Sequence, residues 1–216
     1  MDFATARYNM VEGQVRPHQV NDETLISALA ALPREAFVPT EIQGIAYVDK
    51  EVPIGEGRYL MAPMVTARLA ETAAPGPDDL VLVIGSATGY GAAVLSHLAG
   101  AVVALESDAG LAQQAAGILT GLGIDTVAVV EGDLQKGYPD QAPYDVIFFD
   151  GAVTEIPDEI SGQLAEGGRL VSVVTGGGVG KAVLVSRHRG GLSSLDVFDA
   201  TTPLLPGFET QKAFVF

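Results

Sequence analysis

Apolar residues in this chain follow two different rhythms. Early on they recur at helical spacing. Leu25, Ile26, Leu29 and Leu32 follow Asn21-Asp22-Glu23, which offers an N-cap, and residues 4–32 read as helix in two pieces. From about residue 80 the rhythm changes. Short, unbroken apolar runs near 80–84, 101–105, 126–130, 145–149 and 169–174 alternate with helical patterns near 89–98, 108–121 and 156–164. A strand that is apolar at every position is buried on both faces, and strand–helix alternation predicts a parallel sheet with helices on both sides. Beyond it, Gly190-Gly191 between apolar runs predicts an antiparallel hairpin, and Ala213–Phe216 a terminal strand.

The stretch between the two regimes has no period. Pro33 and Pro39 bracket a short bridge, and residues 44–63 are rich in Gly and Pro, which predicts a loop or short hairpin of about twenty residues. Irregular segments of that length in compact domains often act as lids. Pro63 suits the first turn of a helix reaching about Thr72. The expected organisation is one domain over 1–216, with N-terminal helices and a lid over 1–75 and an α/β core over 76–216.

Within that core the most informative segment is Val81–Gly91. An apolar run stops at Gly85, small residues follow (Ser86, Ala87, Thr88, Gly89), and a helical pattern begins at Tyr90. The next strand ends in Glu106. This is the form of a nucleotide-binding β-turn-α-β unit: glycines allow close backbone approach, and the acid can accept from ribose hydroxyls. Two more strand ends carry suitable groups. Gly132, Asp133 and Leu134 follow the third strand, where Asp133 can accept from an adenine amino group, and Asp150 ends the fourth, toward the reactive end of a ligand. Each also has a local role open to it, since Glu106 or Asp108 can cap the next helix, Asp133 can form a turn with Gly132, and Asp150 can be a turn acid. Together, four strand ends in order point to a nucleotide-like ligand. The glycine spacing G-x-x-x-G-x-G differs from the dinucleotide fingerprint, and the phosphate-loop lysine pattern is absent, so one adenosyl group fits better than a dinucleotide or ATP.

Composition narrows the chemistry. The chain has no cysteine, which excludes disulfides, thiolate metal ligands and cysteine nucleophiles. His18, His97 and His188 lie far apart without metal-ligand spacing, so no metal is expected. The net charge of −15 repels phosphate backbones and argues against a nucleic-acid partner. No apolar run approaches the ~20 residues that span a bilayer, and the N-terminus lacks a basic-then-apolar signal, so a cytoplasmic protein without membrane contact is expected.

At this level of detail the residues resemble class I S-adenosylmethionine-dependent methyltransferases, and more narrowly the protein-L-isoaspartate O-methyltransferase family. Met10-Val11-Glu12-x-Gln14-Val15 resembles the opening helix of that family. Pro33-Arg34-Glu35-x-Phe37-Val38-Pro39 is close to a family signature, and Ala46-Tyr47-x-Asp49 with Pro53-Ile54-Gly55 continues it. Gly89-Tyr90-x-Ala92-Ala93-Val94-Leu95, Gly132-Asp133 and Gln163-Leu164-x-x-Gly167-Gly168-Arg169-Leu170-Val171 are shared more widely among class I methyltransferases. The resemblance implies a Rossmann-like class I fold, S-adenosylmethionine as cofactor, and methylation of the α-carboxylate of isoaspartyl residues in damaged protein. The resulting ester cyclises to a succinimide that can reopen as normal aspartate. Implied cofactor contacts are Gly85, Ser86, Ala87, Thr88, Gly89, Glu106, Gly132, Asp133, Leu134 and Asp150.

Two segments depart from that pattern. Where the family carries a Gln-Thr-Ile-Ser-Gln-Pro-like loop, this chain has Arg58-Tyr59-Leu60-Met61-Ala62-Pro63. Met61 thus stands at the position of the active-site serine and Tyr59 at that of the threonine. Val83 replaces an acid that usually precedes the glycine turn. A carboxylate acceptor is already ionised at neutral pH and needs no general base, so the serine represents a positioning hydrogen bond, worth about 1–3 kcal/mol. Arg58 and Tyr59 are possible replacements, and a guanidinium can grip an acceptor carboxylate through two hydrogen bonds. Arg58, Tyr59 and Met61 are therefore the candidate acceptor contacts. A more apolar lid also suits a different methyl acceptor, and a cofactor-binding homologue without isoaspartyl activity is the third reading.

Overall fold

A computed structural model describes residues 2–176 and 179–209. The expected terminal strand Ala213–Phe216, and Gly177 and Gly178, lie outside the described residues. The chain opens with α1 (Phe3–Met10), whose N-cap Asp2 accepts from the amides of Ala4 and Thr5. A π turn over Val11–Val15 and a 3-10 turn over Arg16–His18 lead to α2 (Glu23–Ala31). Asp22 is the N-cap here, accepting from Thr24 N at 2.8 Å and Leu25 N at 2.9 Å. The aperiodic lid is a 3-10 turn over Thr40–Ile45 followed by a two-stranded antiparallel hairpin, β1 (Val52–Gly55) and β2 (Arg58–Leu60). Pro63 then opens α3 (Pro63–Ala73), at the first-turn position where a missing N–H costs nothing.

Among the described residues the core is a seven-stranded sheet. Its elements are β3 (Leu80–Ile84), α4 (Tyr90–Ser96), β4 (Ala101–Glu106), α5 (Ala109–Gly121), β5 (Val127–Glu131), β6 (Tyr144–Val153), α6 (Asp158–Ser161), β7 (Leu164–Val174), β8 (Lys181–His188) and β9 (Gly191–Asp199). The spatial order is β5-β4-β3-β6-β7-β8-β9. Pairings from β5 to β7 are parallel, and β8 and β9 join antiparallel, as the Gly190-Gly191 turn predicts. The strand order reverses between β3 and β6, which makes the crevice at their carboxyl ends the switch point where ligands bind in open α/β sheets.

Side-chain alternation splits the core into two layers. Val81, Val83, Val102, Ala104, Val146, Phe148 and Val171 face one layer together with α2, α3 and α4. Leu82, Ile84, Val103, Leu105, Ile147 and Phe149 face the other. The first layer runs unbroken from Met10 to Ala200, so the N-terminal helices share the sheet's own apolar core. The second layer has thinner cover. Its roof is Ile160 of the short α6, Leu134, and the C-terminal segment through Leu205 and Phe208, with Phe208 edge-on to Phe149 at 5.7 Å. Here the structure corrects the expected helix at 156–164. Only Asp158–Ser161 is helical, and Leu164 already begins β7. Gly162 and the glycines at 167 and 168 limit helix propagation, while Leu164 buries better as a strand residue paired with Tyr144.

Candidate active site

The β3–α4 turn is built on left-handed backbone. Gly85, Ala87 and Gly89 have φ of 77°, 51° and 94°. Gly89 is the N-cap of α4, and a side chain there would press on Ala115 and Leu119 of α5. Thr88 ties the turn to the N-terminal region, its Oγ1 donating to Phe37 O at 2.7 Å. Ser86 Oγ is buried with no hydrogen-bond partner among the described residues. The turn therefore presents a free hydroxyl and tightly curled backbone at the switch point.

Glu106 ends β4 beside this turn and is fully buried. Its carboxylate accepts from the backbone N–H groups of Ala87 (2.7 Å), Ser107 (2.8 Å) and Asp108 (3.1 Å). Asp108, in turn, caps α5 through Leu111 N at 2.8 Å. Glu106 also faces Arg58. Nη1 of Arg58 reaches Oε1 and Oε2 at 2.5 and 2.7 Å, and Nη2 donates to Gly85 O at 2.6 Å. Alternation along β2 explains the placement: Arg58 and Leu60 turn inward and are buried, while Tyr59 turns outward and is 37% exposed. Among the three candidate acceptor contacts, Arg58 thus lies on Glu106 rather than toward a separate acceptor pocket.

Gly132, Asp133 and Leu134 sit alongside, since Glu131 pairs in register with Glu106 and Gly132 N donates to Glu106 O at 2.9 Å. Asp133 is exposed and caps the short turn through Gln135 N at 3.0 Å, with Lys136 at 3.4 Å, and Leu134 is buried in the second layer. Asp150 lies near the carboxyl end of β6, almost wholly buried against Gly91, where a Cβ would come within 2.5 Å of its carboxyl oxygen. Burial raises its pKa to about 7, against the opposing pull of the Arg58 and Arg34 guanidinium groups. Val83 is inside β3, paired with Ala104 and Phe148 and fully buried in the first apolar layer.

Two features were not foreseen from the sequence. The first is Arg34. It is completely buried, donating from Nε to Ala46 O at 2.6 Å and from Nη2 to Met61 O at 2.7 Å, with its guanidinium carbon 4.6 Å from the centre of the Tyr90 ring. It holds both ends of the lid onto α4, and Nη1 has no partner among the described residues. Its only sequence signal is its place in the Pro-Arg-Glu-x-Phe-Val-Pro run. The second is the segment after β9. Ala152 N donates to Pro203 O at 2.9 Å and Leu205 N to Ala152 O at 2.8 Å, so this segment lies along the end of β6. Leu205 packs onto Gly85 and Gly151 so closely that a Cβ at either glycine would come within 2.5–2.6 Å of it. Nothing in the local pattern of Thr202–Leu205 marks it as site-forming.

Arg58 from one side and Leu205 from the other therefore meet over the glycine turn. The cavity left between Arg58, Tyr59, Asp150, Gly151, Thr202 and Leu205 holds about 10 Å³, room for about one water.

Comparison with known proteins agrees with this geometry. A family model described as protein-L-isoaspartate(D-aspartate) O-methyltransferase (PCMT) matches residues 6–200. A protein-L-isoaspartate O-methyltransferase of Methylorubrum extorquens is 39% identical over 211 residues, covering 97% of this chain and 92% of its own. One of Methanoculleus marisnigri is 40% identical over 168 residues, covering 78% and 76%. A solved protein-L-isoaspartate O-methyltransferase superposes with a TM-score of 0.80 at 27% identity, covering 93% of this chain and 66% of that longer one. A Plasmodium falciparum protein solved with S-adenosyl-L-homocysteine shares the fold at 17% identity, with a TM-score of 0.79 over 95% of this chain and 98% of its own. With the family model spanning all but the two ends, and with the glycine turn and its acid at the switch point, this chain belongs to the protein-L-isoaspartate(D-aspartate) O-methyltransferase family.

Proposed function

We propose that this chain methylates the α-carboxylate of isoaspartyl residues in protein, with S-adenosylmethionine as donor. The observation that carries the reading is the family match over residues 6–200 together with a left-handed glycine turn next to a buried glutamate at the switch point.

The donor set suits an adenosyl group. Curled backbone at Gly85–Gly89, the partnerless Ser86 hydroxyl, Glu106 for the ribose diol, Asp133 for the adenine edge and Asp150 toward the reacting end are the groups such a molecule requires. Gly132 and Leu134 flank Asp133 at this edge, Leu134 being buried in the second core layer beneath it. When bound, the cofactor supplies an electrophilic sulfonium methyl. The space over the turn, however, is filled by Arg58 and Leu205, and occupancy requires both to move.

The acceptor carboxylate, with an ordinary pKa near 4, is a ready nucleophile at neutral pH. What the chain contributes is orientation and exclusion of water, not proton transfer. The lid performs both. Arg34 pins the Met61 and Ala46 carbonyls in place, and the Met61 side chain, at the family's serine position, is 1% exposed and packs into the apolar core, so in this arrangement it is not an open acceptor contact and reaches one only when the lid moves. Tyr59, exposed on the outer face of β2, is the hydroxyl best placed to meet a polypeptide arriving from solvent.

The test is transfer of label from methyl-labelled S-adenosylmethionine to matched peptides, one isoaspartyl and one aspartyl. Base-labile label on the isoaspartyl peptide alone is the expected result. Failure to label it, with cofactor binding confirmed by calorimetry, sinks the isoaspartyl assignment and points to another acceptor; absence of both label and binding points to a non-catalytic homologue. Met61→Ser is expected to raise isoaspartyl activity by about 5- to 100-fold, the worth of one recovered positioning bond. The same substitution is expected to cost about 2–3 kcal/mol of stability in urea unfolding, because it opens a cavity in the apolar core.

A further inference from the structure

Arg58 replaces a neutral glutamine-like position of the family loop with a charged fork, and its side chain ends on the carboxylate that the ribose diol would use. We propose that Arg58 competes with the cofactor for Glu106, so that an adenosyl ligand binds only when the guanidinium swings out of the site. The proposal rests on the functional reading above.

The chemistry of the two occupants is alike. A ribose diol offers one carboxylate two donors from neighbouring oxygens, and Arg58 offers Glu106 a donor placed 2.5 and 2.7 Å from its two oxygens. Both cannot be there together, because Arg58 lies across both oxygens of a carboxylate that also accepts from the amides of Ala87, Ser107 and Asp108 and from the Ser107 hydroxyl. The guanidinium also takes Gly85 O, so it fills the close approach that the left-handed glycine provides: a single added Cβ on Gly85 would lie 2.9 Å from Nη2.

The arginine also rides on a movable element. Arg58 begins β2 of a hairpin that pairs only with β1 and is separate from the seven-stranded sheet. The turn behind it, Gly55-Glu56-Gly57, is left-handed at all three residues, with φ of 105°, 50° and 69°. Swinging the hairpin tip breaks no rung of the main sheet. The release does have to break a buried, charge-assisted pair, so the open form is a minority, and apparent cofactor affinity is lowered by that fraction. Once released, the guanidinium stands one residue from Tyr59 and three from Met61, positions where an acceptor carboxylate would arrive. Cofactor first, acceptor second is then the order of binding.

The experiment is calorimetric titration of S-adenosylhomocysteine into the full chain and into Arg58→Gln and Arg58→Lys. Arg58→Gln is expected to bind about 10-fold tighter than wild type, because the competing charge is gone, and Arg58→Lys to stay closer to wild type. Unchanged or weaker binding by Arg58→Gln overturns the proposal. Arginine side-chain NMR of the wild-type chain provides a readout that does not depend on a variant folding. The restrained Arg58 guanidinium signal should be lost on saturation with S-adenosylhomocysteine, and its persistence in the saturated protein is equally fatal. If neither protein binds S-adenosylhomocysteine, the cofactor reading and this inference fall together. Normal competition with no label on isoaspartyl peptide removes only the acceptor assignment.

Discussion

Asp150 shows how one residue's surroundings set its chemistry. As an isolated aspartate it would be ionised throughout the working pH range. Packed inside β6, three residues before its end, against Gly91, its carboxyl is lifted from 3.8 to about 7 by burial, despite the two nearby guanidinium groups. Between those values the folded chain retains a proton that the unfolded chain has released. The contribution of this group to stability is therefore greatest below pH 4, falls as pH rises through about 7, and is level above that. Asp150→Asn removes the dependence. Comparing unfolding midpoints at pH 5 and pH 8, the variant should gain on wild type at pH 8 by up to a few kcal/mol. An equal change at both pH values would show that Asp150 is ionised in the folded chain at both. The sequence marks Asp150 as an acid after a strand ending near 149, but the strand continues to Val153 and Asp150 lies inside it; its burial against a helix glycine 59 positions earlier has no local sign.

At the scale of elements, the lid owes its position to one side chain. The β1–β2 hairpin makes few backbone bonds outside itself, and Arg34 bridges the carbonyls before and after it, at Ala46 and Met61. The base of the lid is also tied to α1, where Arg7 donates to Tyr47 and Glu35, and the Tyr47 hydroxyl donates to Glu35. Arg34→Ala leaves two buried carbonyls without donors and removes the stack on Tyr90. It should cost about 2–4 kcal/mol in urea unfolding. It should also speed proteolysis within residues 46–62, the segment released. A variant whose cleavage rate there matches wild type would mean that the apolar contacts of Val52, Leu60 and Met61 hold the lid without the clamp. Helix starts at Asp22, Pro63 and Asp108 follow local rules that sequence reading can apply. The shortness of α6 does not, because it depends on Leu164 finding Tyr144 across the sheet.

The whole molecule carries a net charge of −15, and its self-repulsion opposes the compact state. Added salt shortens the reach of that repulsion from about 30 Å at 0.01 M to about 8 Å at 0.15 M. Sodium chloride over that range is therefore expected to raise Tm by several degrees in a thermal scan. The buried Arg58–Glu106 pair, out of reach of counterions, should respond far less, so the Tm difference between wild type and Arg58→Gln should be nearly independent of salt. A fall in Tm with salt would show that exposed ion pairs such as Arg16–Glu12 and Lys181–Asp199 outweigh the general repulsion.

What the sequence by itself determined is the part governed by neighbours along the chain. Apolar strands buried on both faces, caps, the left-handed glycine turn and the acid at the end of the next strand all have local causes, and they suffice for the sheet, its switch point and the class of ligand. Tertiary structure alone decided who meets at that point. Arg58 reaches Glu106 across 48 positions, Arg34 reaches Met61 across 27, and Leu205 returns from the far end of the chain to cover Gly85. Such meetings depend on how separate elements stack, and a charged or apolar side chain gives no local sign of the partner on which its burial depends. The turn, the acid and the arginine are each visible in the sequence; that the arginine sits on the acid, in the space over the turn, is a property of the fold.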